Sequence, residues 1–332
     1  MPHKQSVSIV MPVRNEKRYI KQCLDSILDQ DYSAIKEIII SDGQSDDGTI
    51  DFLDEYKRRD SRIRLLTNHY KIQTIALNQC IRSATSDIIV RIDAHAFYPK
   101  EYVSSCIQCL LETKAANVGG PCRNKEREGF IPSLINIVHE SPFGLGASKF
   151  RRTRYKGFVD SVWPGVFWRR VFSEVGYFNE SLVRTEDMEF NRRLRDRGYT
   201  IYLTPEIEVY YYARDNISDL LKQNFFNGWG VMQNIFVTGK ITALRHLVPL
   251  AFVSFLIISG SLIFFFPQAR PILIIGIGVY ALANILFSLQ EAFKKGIKYL
   301  FSLPLMFLLL HLTYGLGSIC ALCFYLLHRR NN

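Results

Sequence analysis

Three long stretches without a formally charged side chain occupy the C-terminal part of this 332-residue chain. They cover residues 247–266, 271–289 and 299–327, and the third also contains an imidazole, His311. A helix of about 20 apolar residues is long enough to cross a bilayer. The sequence therefore predicts a transmembrane region over 247–328, preceded by a soluble domain that ends near residue 217.

Basic residues flank the apolar stretches. The net charge is +10, and seven basic residues but only one acidic residue follow position 241. Lys294, Lys295 and Lys298 lie between the second and third stretches, so this segment should face the cytoplasm and the turn at 267–270 should face outward. Because the run Ser6–Val10 is too short for a secretory signal, we expect a multi-pass protein of the cell (inner) membrane with its N-terminal domain in the cytoplasm. Basic charge beside apolar spans favours a lipid bilayer as the partner over nucleic acid.

Two questions of topology stay open in the sequence. If 299–327 crosses once, Arg329 and Arg330 end outside, against the positive-inside tendency. If it is a re-entrant hairpin, they return to the cytoplasm. The region 218–246 forms a separate segment, whose first part is amphipathic at helical spacing and is expected to lie at the bilayer surface.

Strand and helix patterns alternate over the first hundred residues. Strands are predicted over 7–13, 37–41, 63–66 and 87–92, and helices over 18–30, 49–59, 73–84 and 99–112. This alternation predicts an α/β fold, with a mostly parallel sheet and helices on both faces. The segment 123–157 is expected to be irregular. Helices over 169–175 and 186–197 and a strand over 199–203 follow it.

Polar side chains follow three of the predicted strands, at 12–16, 42–49 and 93–95. Open α/β sheets bind their ligands at the carboxyl ends of strands. The third group, Asp93-Ala94-His95, puts a carboxylate and an imidazole two residues apart. Such a pair can hold a divalent metal ion.

Four motifs occur in a fixed order along the chain: Met11–Glu16, Ser41–Thr49, Asp93–His95 and Thr185–Asp187. Together they resemble the P-x-Y-N-E, D-G-S-T-D-G-T, D-x-D and E-D motifs of family 2 glycosyltransferases, over roughly residues 5 to 235. This resemblance implies the GT-A fold, which is Rossmann-like. The segments Ser141–Gly146, Val159–Val162 before Gly165, and His311–Gly317 resemble membrane-bound glucosyltransferases of succinoglycan-type exopolysaccharide assembly.

The resemblance implies a nucleotide-sugar site. Its residues are Pro12, Val13, Arg14, Glu16, Asp42, Asn78 and Asp93. Asp42 matches a carboxylate that hydrogen-bonds the nucleotide base, although an Asp before Gly43 also suits a simple turn. Asn78 matches a position near the nucleotide, and the alternative is an amide on a helix surface.

The resemblance also implies a divalent metal, with Asp93 and His95 as its protein ligands. His95 stands where the family has its second Asp. A neutral imidazole suits Mn²⁺ better than Mg²⁺, which prefers oxygen ligands, so the exchange favours Mn²⁺. The alternative is a His that only ends a strand and binds no metal.

Asp187 matches the general base of an inverting transfer, which removes a proton from the acceptor hydroxyl. It should begin a helix, where the helix dipole favours its ionised form, with Glu186 orienting or capping. Trp163 is expected in the core, and an acceptor platform is the alternative. The region Lys222–Trp229 lacks the Q-x-x-R-W of processive synthases, which favours a single addition per encounter.

These observations predict an inverting hexosyltransferase that moves a sugar from a nucleotide-sugar, with UDP-sugars favoured, to a hydroxyl of a polyprenyl-linked saccharide. Exopolysaccharide or cell-surface glycan synthesis would be its setting. The basic run 149–156 is either a solvated face or a contact with phosphates or lipid head groups. The rival functions are a nucleotide-sugar-binding membrane relative that does not catalyse, and a transporter or scaffold with a nucleotide-sensing domain.

Overall fold

The computed structural model describes residues 4–125, 128–144, 155–241 and 243–328. The chain divides into two compact units, one made of 1–125 and 148–212 and the other of 126–147 and 213–332. Residues 126–147 belong to the second unit together with the C-terminal helices, and this unit continues from residue 213. The predicted division into a domain that ends near 217, a segment over 218–246 and a membrane region over 247–328 stays a prediction. Residues 149–154 of the predicted basic run, Gly146, Arg329 and Arg330 lie outside the described residues.

The elements are numbered in chain order. The strands are β1 (Val7–Val13), β2 (Ile35–Asp42), β3 (Ile63–Thr67), β4 (Ile88–Arg91), β5 (Ala96–Phe97), β6 (Asn117–Gly119), β7 (Cys122–Asn124), β8 (Gly157–Phe158), β9 (Val166–Trp168), β10 (Ile201–Leu203) and β11 (Val209–Tyr211). The helices are α1 (Ile20–Leu28), α2 (Thr49–Arg59), α3 (Gln73–Ser83), α4 (Tyr102–Thr113), α5 (Phe130–Glu140), α6 (Arg170–Val175), α7 (Glu186–Asp196), α8 (Ile217–Thr238), α9 (Val248–Phe265), α10 (Arg270–Lys295) and α11 (Ser302–His328). Helices α5 and α8 to α11 belong to the second unit.

The first unit is built on a large sheet, in the order β3-β2-β1-β4-β9-β6-β10-β8 among the described residues. The strands β3, β2, β1 and β4 run parallel, as the alternating pattern predicts, and the α/β class is confirmed. Strand β9 is antiparallel to both of its neighbours, β4 and β6, so the second half of the sheet is mixed. The described residues also form a second sheet, in the order β5-β11-β7. Its strand β5 comes directly after the Asp93-Ala94-His95 motif in the chain.

The central strand β1 is buried along its whole length, which explains its nearly continuous apolar sequence. Alternate residues serve opposite faces of the sheet. Ile9 packs in the core cluster on one face, and Val10 packs in the cluster on the other. Both faces of the sheet are therefore covered, which leaves the strand ends as the places where polar groups can gather.

Helix α5 in the second unit corrects the expectation of irregular structure over 123–157. The turn that follows it brings together two motifs that are far apart in the sequence. Nε2 of His311 lies 2.8 Å from the carbonyl oxygen of Phe143, whose ring packs edge-on against the imidazole. Gly144 has no room for a side chain, because a Cβ there would lie 1.8 Å from the carbonyl oxygen of Val138.

Among the described residues of the second unit, three helical segments are long and apolar enough to cross a membrane: Leu244–Phe265, Pro267–Lys295 and Ser302–His328. The last is a single continuous helix, about 40 Å long at 1.5 Å per residue. A re-entrant hairpin over 299–327 is therefore excluded. Helix α10 continues to Lys295, so two of the three flanking lysines lie on its last turn.

Helix α8 packs closely against α11. A Cβ on Gly317 would lie 2.0 Å from the carbonyl oxygen of Phe225, and one on Gly228 would lie 2.1 Å from that of Tyr314. Backbones can approach this closely only where glycine removes the side chain. Whether α8 also lies at the bilayer surface, as its sequence predicts, stays a prediction.

Candidate active site

The carboxyl ends of β2, β1 and β4 lie side by side, since β1 pairs in parallel with both neighbours. Val13 is in register with Asp42, and the amide of Ile92 donates to the carbonyl of Val10 at 2.9 Å. The sheet therefore brings three of the predicted motifs to one edge. This is the edge at which open α/β sheets bind ligands.

The loops after β1 and β2 are joined by hydrogen bonds. The amide of Asn15 donates to Oγ of Ser45, and the amide of Glu16 donates to Oγ1 of Thr49, both at 2.9 Å. Pro12 and Val13 are buried within β1, so they shape the edge through the backbone. Arg14 is exposed, and its side chain lies over Gly43, where a Cβ would be 3.2 Å away. The two loops thus form one continuous wall.

The carboxylate of Asp42 stabilises the turn that Asp42 begins. Its carboxylate accepts hydrogen bonds from the amide of Ser45 at 3.0 Å and from the Ser45 hydroxyl at 2.5 Å. This is the turn that the sequence offered as the alternative role. A contact between Asp42 and a nucleotide base stays a prediction.

Asn78 lies inside the first unit, away from solvent. It is fully buried on α3, its Nδ2 donates to the carbonyl of Phe178 and to Glu180, both at 2.8 Å, and its Oδ1 accepts from the amide of Phe178. The side-chain amide of Asn78 therefore holds the segment 178–180 in place through these hydrogen bonds. The expectation of an amide on the helix surface is corrected by this burial, and a contact between Asn78 and the nucleotide stays a prediction.

A buried guanidinium joins the Asp93 motif to the Glu186 motif. Arg91, at the end of β4, donates to both carboxylate oxygens of Asp93 at 3.3 and 3.4 Å and to Oε1 of Glu186 at 3.0 Å. All three side chains are almost completely buried. Burial alone would lower the pKa of Arg91, but the surrounding carboxylates, Asp93 foremost, raise it well above its ordinary value. Arg91 is therefore a permanent cation in the centre of the site.

Asp187 is the second residue of α7 and lies half-buried beside this group. Burial raises the pKa of Asp187 from 3.8 to about 7, and the Glu186 carboxylate adds to the rise while Arg91 opposes it. A carboxylate that exchanges a proton near neutral pH is suited to general base catalysis.

His95 faces Glu16. Its Nδ1 lies 2.9 Å from Oε1 of Glu16, so the motif after β4 contacts the loop after β1 directly. A carboxylate hydrogen-bonded to one ring nitrogen fixes the orientation of an imidazole that binds metal through the other nitrogen. The pair fits a metal ligand held by an outer carboxylate.

The donor set limits how a metal would be held. No group of three His, Cys, Asp or Glu side chains converges among the residues that the structure describes. Ions such as Mg²⁺ are commonly held by one or two protein ligands together with substrate phosphates. Asp93 and His95 fit that arrangement, in which the pyrophosphate supplies the remaining oxygens.

Sequence reasoning missed Arg91, although the sequence carries its signal. It is a charged residue near the end of the predicted strand 87–92, among apolar neighbours. Arginine is almost never fully buried without a partner. A buried strand with one arginine therefore predicts carboxylates that come to meet it.

Comparison with known proteins identifies the family. The model for Glycosyl transferase family 2 matches residues 8–176. This chain belongs to glycosyltransferase family 2. The matched residues include the first three motifs, and the enzyme class predicted from the sequence is confirmed.

The similarity to two relatives extends beyond the residues that the family model matches. The chain is 27% identical over 323 residues to the dolichyl N-acetyl-alpha-D-glucosaminyl phosphate 3-beta-D-2,3-diacetamido-2,3-dideoxy-beta-D-glucuronosyltransferase of Methanococcus voltae, covering 93% of this chain and 95% of the relative. It is 29% identical over 245 residues to the succinoglycan biosynthesis protein ExoA of Rhizobium meliloti, covering 73% and 74%. The resemblance to succinoglycan-type enzymes is thus confirmed.

A solved glycosyltransferase shares the fold. The mannosyltransferase PcManGT from Pyrobaculum calidifontis superposes with a TM-score of 0.61 at 17% identity, covering 96% of this chain and 88% of that one. The GT-A fold is confirmed by this likeness, together with the family match.

Proposed function

We propose that this chain is an inverting glycosyltransferase of the cell (inner) membrane, which moves a sugar from a UDP-sugar to a hydroxyl of a lipid-linked saccharide. The catalytic unit would face the cytoplasm, where sugar nucleotides are made. The pathway would be exopolysaccharide or cell-surface glycan synthesis. Residues 1–217 would form the catalytic domain, 218–246 an interfacial segment and 247–328 the membrane region.

One observation carries the proposal: Arg91 joins Asp93 to Glu186, the neighbour of Asp187. The contact brings the motif expected at the pyrophosphate next to the motif expected to hold the base. A transferase needs both at one reacting carbon, because the acceptor attacks as the nucleotide leaves.

The proposed reaction is a single displacement. Asp187 accepts the proton of the acceptor hydroxyl while its oxygen bonds to the anomeric carbon. The bond from that carbon to the phosphate oxygen breaks on the opposite face, and the nucleoside diphosphate leaves with the electron pair. Arg91 holds Asp93 and Glu186 in place. The nucleotide pocket would be formed by Pro12, Val13, Arg14, Glu16 and Asp42.

A divalent metal, Mn²⁺ or Mg²⁺, would be held by Asp93 and His95 together with the pyrophosphate. Such an ion supplies positive charge to the leaving phosphates. The structural relative PcManGT was solved with GDP-Man and Mn²⁺, which supports a divalent metal in this fold. With His95 as a ligand, Mn²⁺ is favoured.

A lipid-linked acceptor is supported by two observations. The Methanococcus voltae relative is named for a dolichyl-linked N-acetylglucosaminyl phosphate acceptor. The three apolar helices would hold the enzyme at the membrane that contains such an acceptor. We therefore propose a polyprenyl-linked saccharide in this role.

The test is a transfer assay with purified full-length protein in lipid nanodiscs. UDP- and GDP-sugars are combined with polyprenyl-phosphate-linked and lipid-free saccharides, with Mn²⁺, Mg²⁺ or chelator, and products are detected by mass. We expect transfer to the lipid-linked acceptor and, by NMR, an anomeric configuration opposite to that of the donor.

Asp187→Asn should lower the transfer rate by about 10²- to 10⁴-fold, and Asp196→Asn on the exposed end of the same helix is the matched control. A turnover rate in Asp187→Asn equal to that of the wild type would contradict the proposed base. Sugar-nucleotide binding without any transfer would favour the rival function, a relative that binds but does not catalyse. A lipid-free saccharide that proves the better acceptor would contradict the lipid-linked assignment.

A further inference from the structure

Asn124, the last residue of β7, carries a buried side-chain amide. It is 9% exposed, and neither its Nδ2 nor its Oδ1 is bonded within the part of the chain that the structure describes. Buried amides are nearly always paired, because an unpaired one loses its hydrogen bonds to water without replacement. An amide of this kind is explained when a ligand completes its bonds.

The position of Asn124 relates it to the proposed site. It is in register with Tyr211 on β11, and Tyr211 is in register with Ala96 on β5. Residues paired across neighbouring strands lie on the same face of a sheet, and successive residues alternate faces. Asn124 and Tyr211 therefore share one face of this small sheet, and Tyr210 lies on the other.

Tyr211 is the centre of an aromatic group beside the Asp93-Ala94-His95 motif. Its ring meets the His95 imidazole edge-on, with centroids 5.2 Å apart. On the same ring, Trp163 packs edge-on with centroids 5.6 Å apart. Both Trp163 and Tyr211 remain partly exposed. The sequence left Trp163 between a core residue and an acceptor platform, and its contact with Tyr211 connects it to the site.

We infer that Asn124, Tyr211 and Trp163 bind the pyranose ring of a substrate sugar. The inference rests on the proposed function and extends it to the residues that select the sugar. The amide of Asn124 would hydrogen-bond a ring substituent such as a hydroxyl or an acetamido group. Tyr211 and Trp163 would contact the apolar C–H surface of the ring.

The chemistry of the three side chains matches a sugar. An amide offers two donors and one acceptor oxygen, and each hydroxyl of a pyranose can accept or donate. Aromatic rings give large, rigid contact surfaces for the C–H groups between the hydroxyls. Because His95 touches Tyr211, the sugar at this group would lie next to the motif expected at the pyrophosphate.

The decisive variant is Asn124→Leu, which keeps the size of the side chain and removes its polar atoms. If Asn124 has no ligand, the change relieves an unpaired buried amide, and activity stays as in the wild type. If Asn124 binds a sugar, the variant folds normally and loses affinity by roughly tenfold, the value of one good hydrogen bond. Thermal unfolding of the full chain establishes that the variant is folded.

Two arms distinguish the donor sugar from the acceptor sugar. Calorimetric titration with UDP, UDP-glucose and UDP-N-acetylglucosamine tests the donor: Asn124→Leu should weaken a sugar nucleotide and leave UDP unchanged. If donor binding is unchanged, the KM for the lipid-linked saccharide should rise instead. Tyr211→Ala should have the same effect in the same arm, while Tyr210→Ala, on the opposite face of the strand, should not.

Wild-type affinities and KM values in Asn124→Leu would overturn the inference and leave the proposed function standing. A wild-type protein that binds none of these sugar nucleotides and transfers no sugar would overturn the proposed function, and the inference would fall with it.

Discussion

Nη2 of Arg91 lies 3.0 Å from Oε1 of Glu186, a residue that follows it by 95 positions in the chain. Arg91 ends β4 and Glu186 begins α7, so this contact fixes the strand that carries Asp93 against the helix that carries Asp187. Both partners are almost completely buried. The spacing between two proposed functional groups therefore depends on one guanidinium.

Arg91→Met should destabilise the fold and abolish transfer. It leaves the carboxylates of Asp93 and Glu186 buried without their cation, and breaking a buried ion pair from one side costs about 3–5 kcal/mol. The control is Arg59→Met, which removes the exposed pair with Glu55 and should cost less than about 1 kcal/mol. Urea unfolding of the solubilised chain measures both. Equal losses in the two variants would show that Arg91 has no special structural role.

The transfer rate should rise with pH and level off above about 7, because Asp187 must be ionised to accept a proton. The profile of kcat/KM against pH, measured with saturating metal, checks this. Asp187→Asn should lower kcat by about 10²- to 10⁴-fold above about pH 7, and the loss should be smaller at lower pH, where wild-type Asp187 is already protonated. A profile that is flat between pH 5 and 8 would contradict a base with this pKa.

The same group makes stability depend on pH. Between its ordinary value of 3.8 and about 7, folded Asp187 keeps a proton that the unfolded chain releases. Stability should therefore fall as the pH rises through this range. Asp187→Asn removes this contribution, so the variant should lose less stability between about pH 5 and about pH 8 than the wild type does. Melting temperatures at the two pH values measure the difference.

His95 can be tested by exchanging its ligand chemistry. His95→Asp should gain Mg²⁺-supported activity, because a carboxylate suits Mg²⁺ better than an imidazole does. Glu16→Gln should weaken metal affinity by about 10- to 100-fold through the lost orientation of His95. His69→Ala, in an exposed turn, is the control. If His95→Ala keeps full metal-dependent turnover, His95 is not a ligand.

Gly317→Ala should destabilise the second unit, because the new Cβ would collide with the carbonyl oxygen of Phe225 and separate α8 from α11. Gly278→Ala is the matched control, since nothing lies within 4 Å of a Cβ at that position in α10. Alanine is favoured over glycine in helices by about 1 kcal/mol. The control should therefore melt at the same temperature as the wild type or higher, and Gly317→Ala should melt lower. Equal melting temperatures would contradict the close approach of the helices.

The parts of the fold that depend on local pattern could be predicted from the sequence. Helix α2 occupies the predicted residues Thr49–Arg59, because its amphipathic pattern is complete and Asp47 accepts from the amide of Thr49. The parallel strands followed from their alternation with helices. The motifs at the strand ends lie at one edge of the sheet, as expected, because neighbouring parallel strands end on the same edge.

The parts that depend on distant partners could not be predicted. Asn78 was expected near the nucleotide or on the helix surface, and only the fold brings Phe178 to cover it. The antiparallel insertion of β9 leaves no sign in its own three residues. Asn124 likewise becomes notable only when its burial and its missing partners are known.

If all three apolar helices cross the bilayer, the unbroken course of α11 determines the face of the membrane at which residue 328 lies. Three crossings are an odd number, so with the N-terminal unit in the cytoplasm, as proposed, residue 328 would lie at the other face of the membrane. When each reporter is fused to the C-terminus, alkaline phosphatase should then be active and green fluorescent protein should not fluoresce. The positive-inside tendency at the last residues is then outweighed by the length of one apolar helix.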